Sequence, residues 1–415
     1  MPQTPPSSPS ARTARRLPAL ALLLALAAAG CQSGDVDVDT AAPPPADARG
    51  GAENAVTTTG DDTVPTDLET SRYVGRGRAQ AGVDTTGQAA AARSNPETLD
   101  DVASADWSGP LYLPLGGDVE GPSVVKLQVL LDRAGFSPGQ IDGRWGDNTE
   151  LAVAWLQKVE GLKTTGIVDA ATVEALARRA GSPPELVTAR QLTADDVAGP
   201  FETIPSDVYE RAEMDRLGYE SLGEKLGEDF HVAPELLARL NGGADLDGLS
   251  AGDELLVPNV TGEPRSGGDV ASLEIFGESG YLHALDADGN VLFHAPVVVG
   301  SSYDPSPDGE FTVTSVTRDP WWHYQPSILA GVPDDLPDAR LPPGPNNAVG
   351  VVWMALSKEH YGIHGTKAPE TIGYASSAGC VRLTNWDASY LAGRVADGTP
   401  VRFRDESAQG DLPGA

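Results

Sequence analysis

The sequence predicts a multidomain chain: a disordered N-terminal tether, two small modules and a mostly-β C-terminal domain. Three observations lead there. Residues 32 to about 116 are poor in large apolar side chains and rich in Ala, Asp, Gly, Pro and Thr. Such a stretch does not bury enough surface to offset chain entropy. Between 118 and 180, Val124, Leu127, Leu130 and Leu131 recur at helical spacing. From 270 to 405, short apolar runs separated by Gly-containing turns such as Asp288-Gly289-Asn290 form the pattern of an antiparallel meander.

The N-terminus reads as a signal peptide over 1–30. Arg12, Arg15 and Arg16 supply the charged region and Leu17 to Ala29 the apolar one. That run is too short to span a bilayer as a mature helix. It ends in Ala28-Ala29-Gly30-Cys31, which resembles the lipobox of bacterial lipoproteins, with Ala28 where Leu is usual. The resemblance implies lipidation of Cys31, and Gln32 after it implies an outer-membrane address facing the periplasm. An ordinary secretory signal cut nearby is the alternative. Residues 31–116 then form the anchor and a flexible linker.

The formal net charge of −31 argues against nucleic acid, since no basic face would neutralise phosphates. It argues equally against an electrostatic grip on anionic lipid.

The region 118–180 combines Leu127-Gln128, Asp142-Gly143, Gly146, Thr149, Trp155-Leu156-Gln157 and Gly166 to Asp169. This set is similar to the three-helix peptidoglycan-binding domain found beside many wall enzymes. Trp145 is expected in its core. Residues 208–260 resemble a LysM module, a small β-α-α-β unit that binds glycans. Tyr219 to Leu226 fits its first strand-to-helix corner, His231 to Asn241 its second helix, and Gly252-Asp253 with Val257-Pro258 its closing strand. His231 is expected at the surface or at a helix start.

In the last domain, strands are expected at Leu273–Phe276, Tyr281–Leu285, Val291–His294, Val297–Gly300, Val351–Leu356 and Val401–Phe403. A helix is expected over Trp386–Val395, with Asn385 as its N-cap. The tail is 406–415.

The chain has two cysteines, Cys31 and Cys380. With Cys31 used as an anchor, Cys380 stays outside any disulfide, and a thiol kept in an oxidising compartment points to a nucleophile. A Cys31–Cys380 disulfide is the structural alternative. Cys380 lies in Ser377-Ala378-Gly379-Cys380-Val381-Arg382, sixteen positions after His364. A cysteine attacks as thiolate, so it needs a nearby base, and His364 is the candidate. Gly365 leaves its carbonyl open to orient that imidazole. Backbone N–H groups around Ala378, Gly379 and Cys380 would form an oxyanion hole. Arg382 offers a planar fork for a carboxylate, or braces the loop.

Four stretches together resemble the L,D-transpeptidase (YkuD) catalytic domain, expected as a β-sandwich. They are Ser306 to Phe311, Pro343 to Gly350, Tyr361-Gly362-Ile363-His364-Gly365-Thr366 and Ser377 to Leu383. The resemblance implies peptidoglycan stem peptides as substrate, with Ser377, Ala378, Arg382, Tyr361 and Thr366 around them. Cys380 would attack the bond between the meso-diamino acid and the terminal D-alanine, and D-alanine would leave. An amine of a neighbouring stem, or of a protein to be attached to the wall, would resolve the acyl-thioester into a 3→3 crosslink or an anchored protein. Water as acceptor would make a carboxypeptidase or hydrolase instead, and a non-catalytic wall tether is the further alternative. Many family members carry His at the place of Ala378, and Asn347-Ala348-Val349-Gly350 replaces the usual Asn-Pro-Leu-Gly. No cofactor or metal set is legible. His283 and His294 are expected as packing or surface residues. His323 falls in the aromatic run Trp321 to Tyr324, and His360 has the weaker motif context.

Overall fold

The computed structural model describes residues 37–39, 87–183, 185–261, 265, 267–300, 305–328, 332–333, 335–377 and 379–404. The signal peptide, Cys31, most of the tether, Ala378 and the 406–415 tail lie outside the described residues. A three-residue strand, β1 (Asp37–Asp39), comes first.

The linker expected to reach 116 is structured from 87. Helix α1 (Gln88–Ser94) leads to a 3-10 helix, Leu99–Ser104. Leu99 and Val102 are buried in one apolar cluster with Val125, Val129 and Leu236. Their seat lies on later elements, which the composition of residues 87–116 does not reveal.

The helical module is α2 (Pro122–Arg133), α3 (Asp147–Val159) and α4 (Ala170–Arg179). Pro122 suits the first turn of α2, where its missing N–H costs nothing. Asp169 caps α4 by accepting the Thr172 N–H at 2.9 Å. Two buried glutamines pin the connections. Gln128 accepts the Gly143 N–H at 2.9 Å and donates to Asp142 at 2.9 Å. Gln157 accepts the Thr165 and Gly166 N–H groups, each at 2.9 Å. Trp145 is in the core, as expected.

The next unit is closed by two paired strands with three helices between them, where the sequence leads one to expect β-α-α-β from 208. Strand β2 (Val187–Gln191) pairs antiparallel with β3 (Glu254–Pro258). Between them lie α5 (Val208–Ala212), α6 (Leu222–Asp229) and α7 (Pro234–Leu240). The opening strand therefore precedes 208, because the partner of β3 comes from before a long intervening segment. Asn241 ties α7 to β3, accepting the Leu256 N–H at 2.8 Å and donating to Leu256 O at 2.9 Å.

The C-terminal domain contains β4 (Ser272–Phe276), β5 (Tyr281–Leu285), β6 (Val291–Pro296), β7 (Gly309–Arg318), β8 (Trp321–Tyr324), β9 (Ala339–Leu341), β10 (Val352–Leu356), β11 (Gly362–His364), β12 (Val381–Arg382), helix α8 (Asn385–Ala392) and β13 (Pro400–Arg404). It is not a sandwich of two sheets. One eight-stranded sheet runs β12-β11-β10-β7-β13-β4-β5-β6. It curls so far that Val298, just after β6 at one edge, exchanges backbone hydrogen bonds with Arg382 of β12 at the other, at 3.0 and 2.8 Å. A smaller sheet orders β1-β8-β9. Thr384 caps α8 by accepting the Asp387 N–H at 3.2 Å, so Asn385 is the first helical residue and its side chain is available elsewhere.

The modules pack on this sheet. Gly135 and Ser137 of the helical module hydrogen-bond the backbone of His294 on edge strand β6, both at 2.8 Å. His283 and His294 are fully buried beneath that contact. Their rings face Trp155 (4.6 Å from His283) and Phe136 (6.1 Å from His294). His231, just ahead of the start of α7, is half-buried: it stacks on Trp386 at 5.0 Å and bonds Asp132 at 2.9 Å. Arg265 joins all three units, reaching Asp132 at 2.6 Å, His231 at 3.0 Å and Asp387 at 3.0 Å.

Candidate active site

Pairing register brings the motif residues together. His364, at the end of β11, lies opposite Trp353 of antiparallel β10 and opposite Arg382 of parallel β12. Side chains alternate along a strand, so Ile363 and Val381 turn into the core while His364, Trp353 and Arg382 share the other face. Cys380 meets that same surface. It is buried in a cluster with Val349 and Trp353, and the Trp353 ring stacks on the His364 imidazole at 5.5 Å. Gly362 is required here, because an added Cβ would lie 2.5 Å from the Trp353 ring.

His364 is 3% exposed, and its Nδ1 lies 2.6 Å from the Gly365 carbonyl. A carbonyl only accepts, so Nδ1 carries the hydrogen and Nε2 presents a lone pair. Burial pulls the imidazole down to about 3 and the Arg382 charge adds to this, against the Gly365 bond. The ring is therefore a neutral base at neutral pH, not one poised near its ordinary value.

Cys380 is 5% exposed and is in no disulfide. Its Sγ points to the His360 carbonyl at 3.9 Å. His360 thus meets the site through its backbone, at a left-handed φ of 67°. The thiol loop is braced from both sides. Ser377 Oγ donates to Cys380 O at 2.6 Å and accepts the Gly379 N–H at 3.2 Å. The Gly379 N–H, expected to face a substrate oxyanion, is engaged within the loop. Ser306 Oγ donates to Gly379 O at 2.9 Å. Gly379 has a φ of 102°, and an added Cβ would meet Tyr361 at 2.8 Å. Tyr361 is buried as the wall of this turn.

Thr366, expected near substrate, is buried and accepts the Ala368 N–H in its own turn at 3.2 Å. The aromatic run of β8 partly covers the site, with Trp322 packed on the Val349–Trp353–Cys380 cluster.

Asn385, expected as the N-cap of the last helix, instead sends its side chain toward the site. Its Oδ1 accepts the Val351 N–H at 3.2 Å. The same oxygen would lie 2.1 Å from a Cβ on Gly350 or on Gly365. The signal lay in the sequence as the two glycines, Gly350 and Gly365, but what fills their space is visible only in the fold.

Residues 275–403 match the L,D-transpeptidase catalytic domain family, and residues 120–176 match a peptidoglycan-binding domain family. The chain is similar to the L,D-transpeptidase-named protein YkuD of Bacillus licheniformis: 30% identity over 178 residues, 43% of this chain and 90% of that protein. The Bacillus subtilis protein of the same name is 30% identical over 176 residues, 42% of this chain and 89% of its own. The crystal structure of an L,D-transpeptidase from Xylanimonas cellulosilytica covers 71% of this chain and 98% of its own at 19% identity, with a TM-score of 0.31. With relatives of this identity spanned almost from end to end, the chain belongs to the L,D-transpeptidase (YkuD) family.

Proposed function

We propose that this L,D-transpeptidase uses Cys380 as its nucleophile and His364 as its base, and forms 3→3 crosslinks between peptidoglycan stems. The observation that carries the assignment is that Cys380 is buried in one cluster with Trp353, whose ring stacks on His364. That arrangement gathers the thiol and a neutral imidazole of defined tautomer on one face of the sheet.

The chemistry follows from that tautomer. As Sγ attacks the carbonyl carbon of the L,D bond, the thiol proton passes to Nε2 of His364. The Gly365 carbonyl steadies the imidazolium through Nδ1–H. The C–N bond breaks, His364 returns the proton to the D-alanine amine, and an acyl-thioester remains on Cys380. An acceptor amine then attacks the thioester and gives its proton to Nε2. The C–S bond breaks, an amide forms and the thiol is restored. A buried neutral imidazole with its lone pair on Nε2 is able to take the thiol proton as the sulfur attacks. The Cys380 N–H is the candidate oxyanion donor, since that of Gly379 is engaged. Arg382 would meet the stem carboxylate beside His364.

The match over 120–176 supports wall binding by the helical module. The paired strands β2 and β3, with α6 and α7 and the additional α5 between them, support a LysM-like glycan binder. Peptidoglycan as substrate places the protein in the cell envelope. Among the described residues no helix is long and apolar enough to cross a membrane. The lipobox-like Cys31 and Gln32 support an anchored, outer-membrane form, with an amine of an envelope protein as a second acceptor.

Muropeptide analysis of walls exposed to the protein and to Cys380→Ala tests the assignment. Crosslinked 3→3 dimers should appear only with the native thiol. Trimmed tripeptides without dimers would make water the acceptor and the protein a carboxypeptidase. Dimers formed equally by Cys380→Ala would sink the mechanism.

A further inference from the structure

We propose that Asn385 and Glu228 form a positioning relay that holds His364 from behind, so that the unit closed by β2 and β3 supports the rate of the catalytic domain. This rests on the assignment of His364 as the base. Asn385 is 2% exposed, and its side chain links three segments. Nδ2 donates to Glu228 Oε1 at 3.1 Å and to Pro345 O at 3.4 Å. Oδ1 accepts the Val351 N–H and fills the space left by the missing side chains of Gly350 and Gly365. Gly365 is the residue whose carbonyl sets the His364 tautomer. A wedge behind that peptide therefore limits how far the carbonyl swings. The wedge is in turn aimed by a carboxyl on α6, from a different unit of the chain.

A second contact reinforces the same joint. Asn346 donates to Glu224 Oε1 at 2.7 Å and to Gly218 O at 2.9 Å. The Leu217 N–H donates to Pro343 O at 2.9 Å. Two asparagines of the catalytic domain thus read two glutamates one helical turn apart on α6, as an i, i+4 pair faces one side of a helix. The groups facing Glu228 are Glu224 and Asp229 of its own helix, Tyr219 before it, Glu370 of the 3-10 helix Pro369–Thr371, and Asn385. Burial, with the neighbouring carboxylates adding, pushes the Glu228 carboxyl up to about 8. At neutral pH it accepts from Asn385 as an uncharged acid, and ionising it would set a charge among like charges.

The test uses the full chain as wild type, Glu228→Ala and Glu228→Gln, each checked for folding by thermal melting. Two readouts are taken: the limiting rate of Cys380 acylation by a carbapenem, followed by intact mass, and the ring 15N shifts of His364. Glu228→Ala should slow acylation by about tenfold at an unchanged half-saturating concentration and move the His364 shifts. Glu228→Gln keeps the acceptor, so at pH 7 it should match wild type in both. Above pH 8 the wild-type rate should fall away from that of Glu228→Gln. A folded Glu228→Ala with wild-type rate and shifts overturns the relay. So does a loss shared equally by Glu228→Gln, or one confined to melting temperature. If Glu228→Ala does not fold, the two pH profiles decide, and parallel profiles overturn the proposal. A wild type that takes no carbapenem sinks the transpeptidase mechanism, while the ring shifts still judge the relay.

Discussion

Ser306 Oγ donates to the Gly379 carbonyl at 2.9 Å and accepts the Gly300 N–H at the same distance. A trans peptide carries its C=O and N–H on opposite sides. Pinning Gly379 O therefore fixes the direction of the Cys380 N–H, the candidate oxyanion donor. Gly379 lacks the side chain that would resist a peptide flip, so the hydroxyl is the lock. Ser306→Ala should stay folded and lose about tenfold or more in acylation rate, with KM little changed, and Ser306→Thr should recover most of it. A Ser306→Ala enzyme as fast as wild type would dismiss the lock.

Burial holds His294 and His364 down to about 3 and His283 well below its ordinary value. Their ring signals should not titrate between pH 7 and about 4.5 in NMR spectra. The unfolded chain takes protons on these rings below about 6.5 and the folded chain does not, so their contribution is lost as pH falls from 6.5 toward 3. Any of the three titrating near 6.5 in the folded protein would contradict the burial.

Gly365 admits no side chain while Asn385 is present, since the added Cβ would sit 2.1 Å from Oδ1. Gly365→Ala should destabilise by about 2 kcal/mol and cut acylation by about a hundredfold, because the carbonyl that orients His364 must shift. Adding Asn385→Ala relieves the clash but removes the hydrogen bonds to Val351, Glu228 and Pro345, so the double variant should be at most slightly less stable than Gly365→Ala and should not recover rate. A double variant that recovers both stability and rate would show that the glycine serves packing alone.

Arg265 is the sole described charge bridging Asp132 and Asp387, both fully buried. Burial pushes the Asp132 carboxyl up, yet Arg265 and His231 hold it at about 2. Arg265→Ala leaves two buried carboxylates without their cation and should cost about 3–5 kcal/mol in urea unfolding. Replacing both acids by Asn in that background should return part of the loss. A cost under about 1 kcal/mol would mean that the charges are hydrated in the folded state.

The motif residues were legible because each motif is local. His364-Gly365 and Ser377 to Arg382 carry their meaning in adjacent residues, and register then sets them side by side. Asn385 was misread because cap preference is also local: Thr384 and Asn385 both suit a helix start, and the Asp387 N–H chose the hydroxyl. For His283 and His294 the sequence leaves packing and surface both open, and the structure selects packing, since what covers them comes from the helical module. The strand β2 escaped notice because its partner lies some sixty residues on, beyond any local pattern.

By itself the sequence determined the chemistry on offer: a motif thiol, an imidazole followed by glycine, and a peptidoglycan-binding segment ahead of them. Tertiary structure alone decided that the imidazole is neutral with its hydrogen on Nδ1, that one curled sheet replaces a sandwich, and that a glutamate from another unit backs the site. The physical reason is range. Side-chain alternation and turn chemistry act over a few residues, whereas burial and cross-unit hydrogen bonds exist only once distant segments have packed.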